Sequence, residues 1–290
     1  MERLYTRREA LKLFSTTLLA GVAPPFHQLM SQLERPTFSV YGLHGTPDLG
    51  GGVDSELLVS DLINLGAKWL VSLDPSEELL QRIKSSNIGL IIRTSEPENT
   101  FTPDYQVSLL KKYQKYIPNL VIQPFNEVNL LAETGGKVIP APEHISKSFI
   151  PTAELISEYG GLTLITPLAQ RTSYPNFEEL PYYIESLRQL KKAKDISWIL
   201  NNLALGVHSY IFTPGEDQWR RVSILASAAQ QILEVNLPIF ITESGLYQTR
   251  QTNFSQELVA RETIRQLETP VPYHLPIQSN CFCDVFDKGV

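Results

Sequence analysis

Cysteine is almost absent from this sequence: only Cys281 and Cys283 occur, one residue apart near the end. That number and spacing exclude a disulfide framework and a zinc site built from four cysteines. The fold must therefore hold by packing. Blocks of one charge are missing too. The 25 lysines and arginines stand against 31 acidic residues, a net charge of −6 at pH 7, and no basic run gathers anywhere. Phosphate binding needs a concentrated basic face, so nucleic acid is excluded as a partner. No apolar run reaches the about 18 residues of a membrane-spanning helix, so the mature protein is expected to work off the membrane. Histidine is scarce at five residues, no two at ligand-like spacing. A metal hydrolase is thereby disfavoured, and no metal or other cofactor is expected.

What is present is a chain of 290 residues, 42% hydrophobic and 9% aromatic, enough to bury a large core. Residues 1–23 read as an export signal of the twin-arginine kind: Arg7-Arg8 and Lys12, then apolar Leu13 to Val22, then Ala23 before Pro24-Pro25. A basic amphipathic helix is the alternative reading of that stretch. Export implies a periplasmic or extracellular protein. A lead-in follows over 24–37, and residues 38–290 then alternate short, β-branched apolar runs with longer stretches of helical period. The runs are Phe38 to Leu43, Trp69 to Leu73, Ile88 to Ile92, Leu120 to Phe125, Leu162 to Pro167, Leu203 to Tyr210, Pro238 to Thr242 and, more weakly, Val271 to Ile277. Eight nearly continuous apolar strands joined by helical crossovers predict an α/β fold with both sheet faces covered. A single-domain (β/α)8 barrel fits best, because polar residues collect just after each strand. The stretch after the eighth run, Ser279 to Val290, has no amphipathic pattern. Either the last helix is missing or the closing crossover is irregular and holds both cysteines.

Barrel chemistry sits at the C-terminal ends of the strands, so the polar residues there carry the functional reading. Strand four runs into Gln123-Pro124-Phe125-Asn126-Glu127-Val128-Asn129, and strand seven into Ile241-Thr242-Glu243-Ser244-Gly245. Glu127 and Glu243 are thereby expected to face each other across the barrel mouth. Two facing carboxylates are what glycoside hydrolysis needs: one protonates the leaving oxygen while the other attacks or stabilises the anomeric carbon. Either glutamate alone could instead cap a helix or pair with a nearby base. Their joint placement at strands four and seven favours catalysis.

With these residues in place, the sequence resembles the clan A glycoside hydrolases, barrel enzymes with an Asn-Glu acid/base after strand four and a nucleophilic glutamate at strand seven. The resemblance implies Glu127 as acid/base, Asn126 as donor to the sugar 2-hydroxyl and Glu243 as nucleophile. His208-Ser209-Tyr210 is similar to the clan's His-x-Tyr, whose aromatic hydroxyl bonds the nucleophile. Where many members carry an arginine in strand two, this sequence has Ser72, and Arg93 at the end of strand three is the nearest cation to orient the nucleophile. No tryptophan stands at the expected end of strand eight to serve as a sugar platform.

Other residues carry two readings each. His44 could line the sugar subsite or be a satisfied strand-end histidine. Trp219, Tyr247, Phe212 and Tyr174 could stack on sugars or pack on neighbouring loops. Gly50-Gly51-Gly52 lacks the Lys-Ser/Thr of a phosphate loop and reads as a flexible first loop. The function expected is a monomeric retaining glycosidase that cleaves O-glycosidic bonds of a poly- or oligosaccharide. The alternative is a non-catalytic carbohydrate-binding or cell-wall-associated barrel. Retention predicts carboxyl groups about 5 to 5.5 Å apart, against roughly 6.5 to 9.5 Å for inversion.

Overall fold

Apolar strands with buried faces on both sides can satisfy their edges only by closing on themselves, and this sheet does so. The computed structural model describes residues 41–44, 55–94, 103–117, 119–130, 139–143, 145–170, 178–247, 254–272 and 274–283. The export signal, the lead-in, the Gly50–Gly52 loop, Tyr174 and residues 284–290 lie outside these.

The elements run β1 (Tyr41–His44), α1 (Ser55–Asn64), β2 (Trp69–Leu73), α2 (Glu77–Lys84), β3 (Gly89–Arg93), α3 (Pro103–Gln114) and β4 (Val121–Gln123). A π-helical turn (Ile145–Phe149) then leads into α4 (Ile150–Glu158), β5 (Leu162–Ile165), α5 (Glu179–Ala193), α6 (Ile196–Asn202) and β6 (Leu203–Ile211). The chain continues through α7 (Gln218–Leu233), β7 (Ile239–Leu246), α8 (Gln256–Glu268) and β8 (Ile277–Cys283). All eight strands are parallel, and β8 closes onto β1 with Tyr41 opposite Asn280 and His44 opposite Cys283. This is the (β/α)8 barrel expected from the periodicity. No described helix is long and apolar enough to cross a membrane.

Local chemistry marks the helix starts. The side chains of Ser76, Asp195, Asp217 and Ser255 accept backbone N–H groups of Leu79, Trp198, Trp219 and Leu258, relieving the unpaired donors of each first turn. Packing then proceeds in layers. Val71, Ile91, Val121, Leu164, Ala204, Phe240 and Cys281 fill the barrel interior, and two larger clusters seal the sheet to its helices.

Two strand boundaries differ from the sequence reading. The eighth strand is Ile277–Cys283, six residues later than the expected run. Pro272 and Pro276 cannot donate to a ladder, and the apolar signal of the true strand is diluted by exposed Gln278 and by Ser279 and Asn280, which are buried although polar. Cys281 consequently lies inside the barrel, fully buried, its thiol pushed up by burial, and not in a closing crossover. The seventh strand continues past Thr242 to Leu246, so Glu243 lies within a strand and not at its tip.

Glycine is required where β2 meets β3 at the barrel floor. A Cβ on Gly89 would fall 2.5 Å from the six-membered ring of Trp69, and Trp69 itself stands edge-on to Phe240 at 5.2 Å between ring centres. Gly89→Ala is therefore expected to cost about 1–3 kcal/mol through overpacking. Urea unfolding checks this, and Trp69→Leu in the same chain should recover part of the loss, so the two costs fall short of additivity.

Candidate active site

The site is assembled from the ends of β1, β3, β4, β6 and β7. β4 ends at Gln123, and the chain turns sharply so that Glu127 adopts φ of +34°, a left-handed value that costs a glutamate of order 1–3 kcal/mol. Neighbouring bonds hold it there: Glu127 N–H donates to Pro167 O at 3.0 Å, and Leu130 N–H donates to Glu127 O at 2.7 Å. Asn129, fully buried, grips Ala169 at both backbone atoms, at 2.8 and 3.0 Å. Asn126 stands half-buried beside Glu127, its Oδ1 accepting from Gln123 Nε2 at 3.0 Å.

Across the barrel, β7 skips a residue against β6: Val207 pairs with Ile241 and His208 with Glu243, leaving Thr242 as the extra residue of a bulge. Bulges re-aim side chains, and here the skip sets Glu243 level with His208. Glu243 is only 8% exposed, yet both its oxygens are met by donors. Arg93 Nη1 donates to Oε1 and the Tyr210 hydroxyl donates to Oε2, each at 2.5 Å. His44 Nε2 lies 3.5 Å from Oε1, and His208 Nδ1 lies 3.5 Å from Oε2. Burial would raise this carboxyl, but His208, His44, Arg93 and the Tyr210 hydroxyl outweigh it and hold its pKa at about 2. Glu243 is ionised throughout the working range of a protein.

The two histidines are set differently. Arg93 Nη1 also lies 3.4 Å from His44 Nε2. A guanidinium only donates, so Nε2 accepts and the His44 ring is neutral; its burial, aided by Arg93, pulls its pKa down to about 4. His208 Nδ1 lies 2.8 Å from Glu127 Oε1, so one proton sits between that carboxyl and the ring. Burial opposes charge on His208, but Glu243 and Glu127 prevail and raise its pKa. Glu127, His208 and Glu243 thus bring ligand-type atoms within 4.8 Å of one another. These atoms could in principle hold a cation. The donors around them argue otherwise: Arg93 occupies one oxygen of Glu243 and Tyr210 the other, an arrangement that suits an anion and repels a metal.

The structure thus brings His44, Arg93, Glu127, His208, Tyr210 and Glu243 into one cluster, with Asn126 at its edge. Trp219 is a correction. It begins the inward stripe of α7 with Val222, Leu225, Ala229 and Leu233, is 3% exposed in the core, and cannot stack on a sugar. Tyr247 and Phe212 are half-buried and pack on each other at 5.2 Å, Tyr247 also standing edge-on to Tyr210 at 5.3 Å. Two residues were missed by sequence. Arg221, on α7, pairs with Glu179 through Nε at 2.7 Å and donates from Nη2 to Leu168 O at 3.0 Å. Burial brings its pKa down to about 9, against the pull of Glu127. Gln170 binds the backbone of Tyr210. Its position directly after Thr166-Pro167-Leu168-Ala169, at the end of the fifth strand, was the available signal.

No protein-family description and no curated protein matches the sequence. Solved structures do match. A β-1,3-glucanase and allergen of Cryptomeria japonica pollen aligns at 14% identity over 84% of this chain and 88% of its own, with a TM-score of 0.56. A GH128 subgroup II endo-β-1,3-glucanase from Pseudomonas viridiflava aligns at 13% identity, 84% and 85% coverage and TM-score 0.54. A subgroup I enzyme from Amycolatopsis mediterranei, solved with laminaritriose, gives 11%, 84%, 88% and 0.51. The chain shares the fold of these glucanases.

The neutral state of His44 has a measurable consequence. In the unfolded chain a histidine charges near 6.5, whereas folded His44 waits until about 4. Between those values the unfolded state holds the extra proton, so stability falls as pH drops from about 6.5 to 4. Glu243 adds nothing to this slope above its unfolded value near 4.5, its own contribution being lost only as pH falls toward 2. His44→Gln should therefore lose less stability than wild type between pH 7 and 5, by up to about 2 kcal/mol, measured by urea unfolding at both pH values.

Proposed function

We propose that this chain is a retaining glycoside hydrolase that cleaves O-glycosidic bonds of a poly- or oligosaccharide by double displacement. The observation that carries the reading is one pair of carboxyl groups in opposed electrostatic settings. Glu243 is ionised and donor-clamped, while Glu127, with an oxygen within 4.8 Å of it, shares a proton with His208. That closeness favours retention, since inversion needs room for a water between the groups.

In the first step Glu127 gives a proton to the leaving oxygen as Glu243 attacks the anomeric carbon, forming a glycosyl ester and releasing the aglycone. In the second, ionised Glu127 takes a proton from water, whose oxygen displaces Glu243. Arg93 and Tyr210 fix the orientation of the nucleophile, and Asn126, beside Glu127, would donate to the sugar 2-hydroxyl as the resemblance to clan A implies. The structural neighbours named as β-1,3-glucanases support β-1,3-glucan as the first substrate to try. Residues 1–23, read as an export signal, support action outside the cytoplasm.

Release of reducing sugar from laminarin and from a panel of other β-linked glycans and aryl glycosides tests the reading. Glu127→Gln and Glu243→Gln should each lose at least about 10²- to 10⁴-fold in kcat. Azide should rescue Glu243→Gln with a glycosyl azide of inverted configuration, and NMR should show that wild type first releases the retained anomer. A folded wild type that binds these glycans without turnover would sink the enzyme and leave a carbohydrate-binding barrel.

A further inference from the structure

β5 and β6 end at different heights. The last β5 residue, Ile165, pairs with Leu205, but β6 runs on to Ile211. Among the described residues, no strand lies beside that edge of β6 from Gly206 onward, and this is the stretch that carries His208 and Tyr210. The chain leaving β5 runs close along that edge: a Cβ on Gly206 would meet Ile165 O at 2.6 Å and Pro167 Cδ at 3.1 Å. At Tyr210 the side-chain amide of Gln170 does the work of a neighbouring peptide. Tyr210 N–H donates to Gln170 Oε1, and Gln170 Nε2 donates to Tyr210 O, both at 2.8 Å.

The other residues of this segment are tied as well. Pro167 O receives Glu127 N–H, Leu168 O receives Arg221, and Ala169 is held at both ends by Asn129. Four consecutive residues thus join the backbone that carries one carboxylate to the backbone that carries the hydroxyl donor of the other. We propose that Pro167–Gln170 is a strut that sets the two sides of the site relative to each other, with Gln170 as a positioning residue for the Tyr210–Glu243 hydrogen bond. Gln170 acts through Tyr210 and touches no reacting atom.

For its kinetic consequence the proposal rests on the glycosidase reading; for its structural consequence it does not. The experiment is a double-mutant cycle of Gln170→Met, which keeps bulk without hydrogen bonds, with Tyr210→Phe. The first readout is the ionisation of Glu243, followed by ¹³C NMR of glutamate-labelled protein and assigned by its absence in Glu243→Gln. The groups facing that carboxylate are His44 from β1, Arg93 from β3, Glu127 after β4, and His208 and Tyr210 from β6, and Gln170→Met leaves all of them in place. Loss of the Tyr210 bond should raise the midpoint by up to about one unit in either single variant, and in the double variant no further than in Tyr210→Phe. With an active glycan, kcat should fall about tenfold in Gln170→Met while KM stays within about twofold. Gln170→Glu, which keeps the acceptor for Tyr210 N–H, should fall less, and it carries the comparison if the methionine variant does not fold. A Glu243 midpoint unmoved by either Gln170 substitution, or effects that add in full, would overturn the strut. An inactive wild type would overturn the glycosidase reading while the NMR cycle still decides the strut.

Discussion

Everything at the mouth of this barrel answers to one constraint: Glu243 is buried and charged at once. A carboxylate taken from water without partners would protonate, and the surrounding structure prevents this by bringing polar partners from three separate strands. Arg93 arrives from β3, Tyr210 and His208 from β6, and His44 from β1, the last at 3.5 Å. No short stretch of chain could supply that set. Residues 150 apart in sequence meet only because the sheet closes, so the electrostatics of the site and the closure of β8 onto β1 depend on each other.

The same constraint explains where the backbone departs from regularity. The bulge at Thr242 sets Glu243 level with His208, and the left-handed turn at Glu127 lifts the second carboxyl toward the same point. Both departures cost free energy, and the turn at Glu127 is fixed by buried bonds in the neighbouring loops. Asn129 with Ala169, and Pro167 with Glu127, hold the turn without the side chain of either glutamate being needed for it. The irregular backbone of the site lies toward the C-terminal ends of β4 and β7, while β2 and β3 pair in regular register around Trp69 at the barrel floor.

How much of this could be read from sequence depended on the physical signal each part leaves. Strands two to seven were legible because a strand buried on both faces is a short run of branched apolar residues, and Glu127 and Glu243 were legible because a carboxylate beside such a run is out of place. Arg93 could be named as a stand-in for a missing strand-two arginine, since a strand-end cation has few other uses. β8 was placed six residues early because its buried polar residues, Ser279 and Asn280, break the apolar pattern. Trp219 looked like a loop aromatic because its place in the periodicity of α7 is visible only once the helix start at Gln218 is fixed. Gln170 left only its position after the fifth strand as a signal, because it binds backbone, and a backbone partner has no sequence.

Charge balance adds a last step. Arg93 offsets Glu243, His44 is neutral, and Arg221 is matched by Glu179. That leaves Glu127 and His208 with one proton between them, across 2.8 Å. Whether the proton rests on the ring or on the carboxyl, the cluster carries the same net charge. Glu243 keeps its charge through the Arg93 guanidinium and the Tyr210 hydroxyl, whereas Glu127 meets the His208 ring at 2.8 Å. Two residues of one type stand in different electrostatic settings because their neighbours differ: a guanidinium and a hydroxyl donate to Glu243, and an imidazole faces Glu127.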